Sequence, residues 1–123
     1  MFWNKKKKGL TYNQYEREYL DNEHELYSIG VTIRAIVADI LIKNEACKLY
    51  TSNSPEHKIT SNEILEKKKK LLKAMGEYSA KRKLVISMLE KNKEHFVSVG
   101  KDRVAPLTAR QHVEIAIRNM KGK

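Results

Sequence analysis

The sequence is poor in cysteine, proline and aromatic residues, and each shortage excludes a class of protein. The only cysteine, Cys47, excludes an internal disulfide and a cysteine-based zinc site. A single free thiol is typical of a reducing compartment, and we expect an intracellular, cytoplasmic protein. Two prolines among 123 residues, with 33% of the residues charged, favour a solvated helical protein over a β-sandwich or a disordered tail.

Catalytic and metal-binding patterns are also missing. No glycine-rich phosphate loop or Ser/His/Asp order is recognisable, and the segment NEHEL lacks the second histidine of a metalloprotease helix. We therefore predict a non-enzymatic protein with no cofactor, no metal and no small-molecule substrate. The histidines have no metal-ligand spacing, and each is expected at the surface: His24, His57, His95 and His112.

Long hydrophobic runs are absent as well. The longest apolar stretch, residues 29–42, is interrupted by Arg34 and Asp39 and is too short to cross a bilayer. The N-terminal lysines have no apolar run behind them, so the first residues do not resemble a secretory signal.

Helix starts, by contrast, are well marked. Thr11, Thr60 and Thr108 are each followed three residues later by glutamine or glutamate. In this capping box the two side chains satisfy backbone N–H groups that the first helical turn leaves unpaired. Each box opens a periodic segment, so we predict three helices.

Apolar residues at alternating spacings of four and three follow the first two starts. One stripe runs from Tyr15 to Tyr50, and the other runs from Ile64 to Phe96 through Lys68. This alternation is typical of a coiled-coil seam between packed helices. We predict an all-α fold: a long antiparallel helical hairpin, coiled-coil-like, plus a short C-terminal helix.

The predicted organisation has three parts. Residues 1–10 are a basic N-terminal tail, and residues 11–100 are the hairpin, with helices at about 11–50 and 60–98 and a loop at 51–59. Residues 101–123 are a connector and the C-terminal helix. Pro55 is expected to end the first helix, and Gly100 is expected to cap the second.

Two points of the hairpin stay open. Gly30 and Gly76 allow a division of the arms into four or five shorter helices, since an interior glycine costs about 1 kcal/mol. With the turn near residue 55, residue i faces roughly residue 110 − i, which would pair Asn22 with Asn92 across the seam. The alternative for both asparagines is hydration near a fraying end.

Positive charge is in excess and concentrated twice. The chain has 25 basic and 15 acidic residues, and tetralysine runs occur at residues 5–8 and 67–70. The second run falls near the predicted hairpin tip without a nearby acidic partner, and its alternative interpretation is a solvated helix end. The candidate anion-binding residues are Lys5, Lys6, Lys7, Lys8, Lys43, Lys48, Lys58, Lys67, Lys68, Lys69, Lys70 and Lys73.

A net charge of +10 indicates an anionic partner. The leading hypothesis is a nucleic-acid-binding accessory or regulatory protein that acts through lysine–phosphate contacts. Lysine outnumbers arginine by 19 to 6, which favours backbone contacts and weak sequence specificity. A lysine-rich, cysteine-poor composition is also common in phage and mobile-element proteins. This likeness is one of composition only.

Two alternatives stand beside it. The apolar stripes are wider than two helices can cover, which favours a helical adaptor, assembly subunit or inhibitor that binds another protein and forms a homo-oligomer, most simply a homodimer. Phe2 and Trp3 beside the first lysine run are compatible with peripheral membrane contact, with stacking on nucleic-acid bases, or with a disordered tail.

Overall fold

The computed structural model describes residues 12–93 and 105–122, which form three helices. Helix α1 spans Tyr12–Cys47, α2 spans Pro55–Lys91 and α3 spans Ala109–Lys121. The two long helices form an antiparallel hairpin, and α3 packs mainly against α1. The predicted all-α hairpin with a short C-terminal helix is confirmed. The predicted caps at Thr11 and Gly100 and the basic tail lie outside the described residues.

The second helix begins five residues earlier than predicted, so the expected start at Thr60 and the loop at 51–59 are wrong. Ser54 is the N-cap, and its hydroxyl accepts a hydrogen bond from the backbone N–H of His57 at 3.1 Å. Pro55 occupies the first helical position, where its fixed φ suits a helix and its missing N–H costs nothing. Proline therefore opens α2, and the turn is confined to residues 48–54.

Both long helices are continuous through their glycines, which rules out the alternative of four or five shorter helices within the described residues. Helix α1 ends at Cys47, three residues before the predicted end at residue 50. Helix α2 ends at Lys91 with Asn92 as its cap. Most of its predicted continuation to about residue 98 lies outside the described residues. At 37 residues, α2 is about 55 Å long.

The hairpin core follows the predicted seam in part, and Val37 and Met88, rather than Ile36 and Leu89, are its buried residues at two positions. Tyr19, Leu26 and Ile33 of α1 are buried as expected, and so are Tyr78 and Val85 of α2. Between Ile64 and Tyr78, however, the seam passes through Lys67 and Ala74. Lys68, predicted at a seam position, is exposed. The seam therefore does not end at the tetralysine run.

Ion pairs between the arms fix their register. Lys81 contacts Glu25 at 2.6 Å, Lys67 contacts Asp39 at 3.2 Å, and Lys43 contacts Glu63 at 3.9 Å. The residue numbers of each pair add to 106, whereas the predicted register was about 110. The difference is about one helical turn, and it arises because the turn lies closer to the N-terminus than residue 55.

The predicted pairing of Asn22 with Asn92 is wrong for the same reason. The Asn22 amide donates to the carbonyl of Glu18 at 2.9 Å and contacts the Met88 sulfur at 3.8 Å. Its oxygen accepts a hydrogen bond from Lys81 at 3.0 Å.

Near the turn, Cys47 is half-buried, and its sulfur lies 3.6 Å from the Ser61 hydroxyl of α2.

Helix α3 begins with the predicted capping box. The Thr108 hydroxyl accepts from the backbone N–H of Gln111 at 3.1 Å, and the Gln111 side chain accepts from the Thr108 N–H at 2.8 Å. Ala109, His112 and Ala116 form the buried face of α3. None of the described helices is long and apolar enough to cross a membrane.

Gly30 permits the close approach of α3 to α1. A Cβ atom at this position would lie 2.7 Å from Cε1 of the His112 ring. The ring is buried and hydrogen-bonded on both sides, so it has little freedom to move away. Gly76 is exposed, and a Cβ there would meet nothing within 4 Å.

Replacing these two glycines with alanine should have opposite effects on the free energy of unfolding. Gly76→Ala should stabilise the protein by up to about 1 kcal/mol, because alanine is the better helix former. Gly30→Ala should destabilise it by roughly 1–3 kcal/mol, the usual cost of overpacking, less the same helical gain. Urea unfolding followed by circular dichroism measures both, and a stabilised Gly30→Ala variant would contradict the observed packing of α3.

Candidate functional site

The structure divides the predicted anion-binding lysines into two groups. Four of them contact carboxylates. Lys43 and Lys67 both contact Asp39 (3.8 and 3.2 Å), Lys48 contacts Glu45 at 3.0 Å, and Lys69 contacts Glu66 at 3.4 Å. The expectation that lysines near the tip lack acidic partners is therefore wrong for these four. The first lysine run, Lys5 to Lys8, lies outside the described residues.

The other four lysines all lie on α2. Lys58, Lys68, Lys70 and Lys73 are exposed, and none forms an ion pair within residues 12–93 and 105–122. We call these four residues the lysine face. Lys58, Lys70 and Lys73 lie within about 120° of the helix circumference, and Lys68 lies outside this arc, about 140–160° around the helix from Lys70 and Lys73. All four lie within 16 residues of α2, about 22 Å along the helix axis.

Charge is divided unequally between the two arms. Helix α1 carries three basic and seven acidic side chains, whereas α2 carries ten basic and five acidic ones. The surplus of positive charge in the hairpin therefore lies on α2. Lys83 and Lys91 share with the lysine face the lack of an ion pair within the described residues. The sequence pattern identified the residues of the lysine face but indicated a site at the hairpin tip, shared between both arms.

A second cluster of functional groups joins all three helices through a chain of hydrogen bonds. Arg34 Nε donates to His112 Nδ1 at 2.9 Å, and His112 Nε2 lies 2.9 Å from the Tyr78 hydroxyl. That hydroxyl donates to the carbonyl of Leu107 at 2.6 Å. Since it has one hydrogen, it must accept from His112 Nε2–H. The chain is then one-directional and requires a neutral His112 ring.

The surroundings of the ring favour its neutral form. Burial lowers the pKa of His112 below its usual value, and the positive charge of Arg34 lowers it further. Burial also raises the pKa of Tyr78, against the opposing effects of Arg82 and Arg34. A protonated His112 would lose its acceptor for Arg34 and would place two positive charges in contact.

The predicted surface position of His112 is wrong, because its ring is 5% exposed. His24 is exposed as predicted, His57 is half-buried, and His95 lies outside the described residues. A signal was available in the sequence. His112 lies three residues after Ala109 and four before Ala116, which is the spacing of one helix face.

Metal binding and similarity to known proteins give no further assignment. Within the described residues, no group of three or more histidine, cysteine, aspartate or glutamate side chains is placed to hold a metal ion. No protein-family model, curated protein or solved structure matches the chain. The assignment of the candidate sites therefore rests on the geometry of the described residues.

The neutral form of His112 predicts a pH dependence of stability. The pKa is lowered in the folded state, so the unfolded chain binds the proton more tightly. The contribution of His112 is fully present above about pH 6.5 and is lost as the pH falls from there toward the folded-state pKa. The loss can reach about 1.4 kcal/mol per pH unit.

Urea unfolding between pH 5 and 8 measures this dependence. His112→Gln should flatten the profile below pH 6.5, whereas His24→Gln, at an exposed position, should leave it unchanged. An unaltered slope in His112→Gln would show that another group is responsible.

Proposed function

We propose that the chain is a non-enzymatic helical protein that binds nucleic acid through the lysine face of α2. One observation carries the proposal. Within two helical turns of α2 lie three exposed lysines that form no ion pair within the described residues: Lys68, Lys70 and Lys73. Ammonium groups without carboxylate partners are available to neutralise phosphates, and the counterions thereby released favour binding. Exposed charges of this kind contribute little to folding.

Lysine determines the expected mode of binding. Its ammonium group is a point charge on a flexible stem and lacks the planar fork with which arginine reads guanine. The lysine face contains no arginine, which favours contacts with the phosphate backbone and weak sequence specificity. An accessory or regulatory role that requires binding without chemistry is consistent with this arrangement.

The triple variant Lys68→Gln/Lys70→Gln/Lys73→Gln tests the proposal. Glutamine forms helices nearly as well as lysine, so the fold should be retained. Affinity for a 20-base-pair duplex should fall, and the slope of log affinity against log salt should flatten by up to about 2.7, or 0.9 for each lost phosphate contact. Gel shifts from 50 to 200 mM salt measure both quantities.

A charge-matched control separates the site from the net charge. Lys48→Gln/Arg110→Gln/Lys121→Gln also removes three charges, but from exposed positions outside α2. Lys48 and Arg110 already contact Glu45 and Glu114, so we expect this variant to bind DNA nearly as the parent does. Equal losses in the two variants would argue against a defined lysine face.

A second candidate function, self-association through α1, has an observation of its own. Leu20, Tyr27, Val31, Ile42 and Leu49 are exposed, at 39, 65, 47, 56 and 85%. Spacings of 7, 4 and 11 residues place the first four on one side of α1, and Leu49 follows in the turn after the helix ends. Ile42 also lines a groove with Ile117 and Met120 of α3. An apolar stripe of this length would suit a homodimer built around paired α1 helices.

Sedimentation velocity over a concentration series tests the homodimer. Ile42→Glu/Leu49→Glu should weaken association at least about tenfold, because each substitution would bury an unpaired carboxylate in the interface. Leu72→Glu, at an exposed position of α2, is the control and should leave association unchanged. A parent protein that stays monomeric at high concentration would exclude self-association.

A further inference from the structure

A large cavity lies beside the hydrogen-bonded chain of Arg34, His112 and Tyr78. It occupies about 880 Å³ between the first half of α1, Tyr78 of α2 and residues 105–107. Its walls are mainly apolar and include Leu26, Tyr27 and Leu107. A volume between roughly 300 and 1,000 Å³, with apolar walls and a few converging polar groups, is typical of small-molecule sites.

Of the three side chains in this series of hydrogen bonds, only one still has N–H or O–H groups that can donate to a ligand. Both ring nitrogens of His112 and the hydroxyl hydrogen of Tyr78 are used within the chain. Arg34 uses Nε alone, and its two terminal nitrogens have no partner within residues 12–93 and 105–122. The guanidinium is half-buried, lines the cavity and has N–H groups available for a ligand.

The bond to His112 also orients the guanidinium. With Nε held at 2.9 Å from a buried ring, the plane of the group is set before any ligand arrives. A pre-oriented guanidinium matches the two oxygens of a carboxylate, phosphate or sulfonate and can donate two parallel hydrogen bonds. The ordering cost of binding is lower for such a group than for a mobile surface lysine.

Arg34 lies at one end of the cavity, which gives a bound anion a direction. Glu23 lines the wall eleven residues before Arg34, about 16 Å along α1, and its carboxylate accepts a hydrogen bond from Tyr19 at 2.7 Å. The terminal nitrogens of Arg34 have no partner within the described residues, so an anionic group is favoured at the Arg34 end of the cavity. An apolar body would then lie against Leu26, Tyr27 and Leu107.

We propose that this cavity is a binding site for a small amphipathic organic anion, with its carboxylate on the terminal nitrogens of Arg34 and its apolar body along the wall. The ligand is held without being transformed. The site belongs to α1, Tyr78 and the segment before α3, so it is independent of the lysine face and of DNA binding.

Two dyes with the same apolar body test the site. 1-Anilinonaphthalene-8-sulfonate carries a sulfonate, whereas N-phenyl-1-naphthylamine lacks it. Fluorescence titration should give one saturable site per chain, with the sulfonated dye bound at least about tenfold more tightly. Octanoate should displace this dye, and 1-octanol at the same concentration should not, which extends the preference to carboxylates.

Three variants locate the binding. Arg34→Met should abolish the preference for the sulfonated dye. Ala105→Trp should weaken both dyes at least about tenfold by filling the cavity without altering the hydrogen-bonded chain. Lys68→Gln/Lys70→Gln/Lys73→Gln should bind both dyes as the parent does.

Each variant is first compared with the parent by urea unfolding, because the sulfonated dye also binds partly folded states. If Arg34→Met does not fold, dye binding by Ala105→Trp alone tests the location of the site. Equal affinity of the parent for the two dyes, undiminished binding in Ala105→Trp, or loss of binding in the lysine variant would overturn the proposal.

Discussion

The position of α3 depends on one buried chain of hydrogen bonds, from Arg34 through His112 and Tyr78 to the carbonyl of Leu107. Each link has a fixed direction, because every group on the way has one donor and one acceptor to use. The chain takes one residue from each helix and ends on the segment that leads into α3. Buried polar groups that are fully paired in this way specify a single packing arrangement.

Other features around α3 depend on this constraint. Gly30 leaves room for the ring of His112, and Arg82 of α2 fixes the entry to α3 by donating to the carbonyl of Pro106 at 3.0 Å. The cavity beside Arg34 lies near His112, at the beginning of α3. The groove beside Ile42 lies near Met120, at the end of α3. The surfaces available for recognition on α1 are therefore defined by where α3 is held.

The repeating elements of the fold were predictable from the sequence, and the exceptions were not. The seam through Tyr19, Leu26 and Ile33 can be predicted from spacing alone, and the capping box at Thr108 is a local signal that the structure retains. The pair Ser54–Pro55 is ambiguous in sequence, because proline ends helices as readily as it begins them. Only the packing of residues 55–59 as the first turn of α2 distinguishes a helix start from a helix stop.

The candidate site was only partly predictable for a related reason. Composition identified the lysines, but whether a lysine is available depends on carboxylates that are distant in sequence, as Lys67 and Asp39 illustrate. The register error of about one turn displaced the predicted contacts across the seam, as the expected pairing of Asn22 with Asn92 illustrates. The spacing of His112 with Ala109 and Ala116 indicates a buried position but not a role, because the role of His112 depends on Arg34 of α1 and Tyr78 of α2.

The unequal charge of the two arms has a consequence for how the molecule approaches a partner. Acidic α1 and basic α2 lie side by side over most of their length, so the electric dipole moment of the hairpin has a component directed across its width. Near a strongly charged surface such a molecule rotates before it touches. The outer side of α2 would face a polyanion, and α1 and α3 would face the solvent. Cavity and lysine face could then be occupied at the same time, since neither approach obstructs the other.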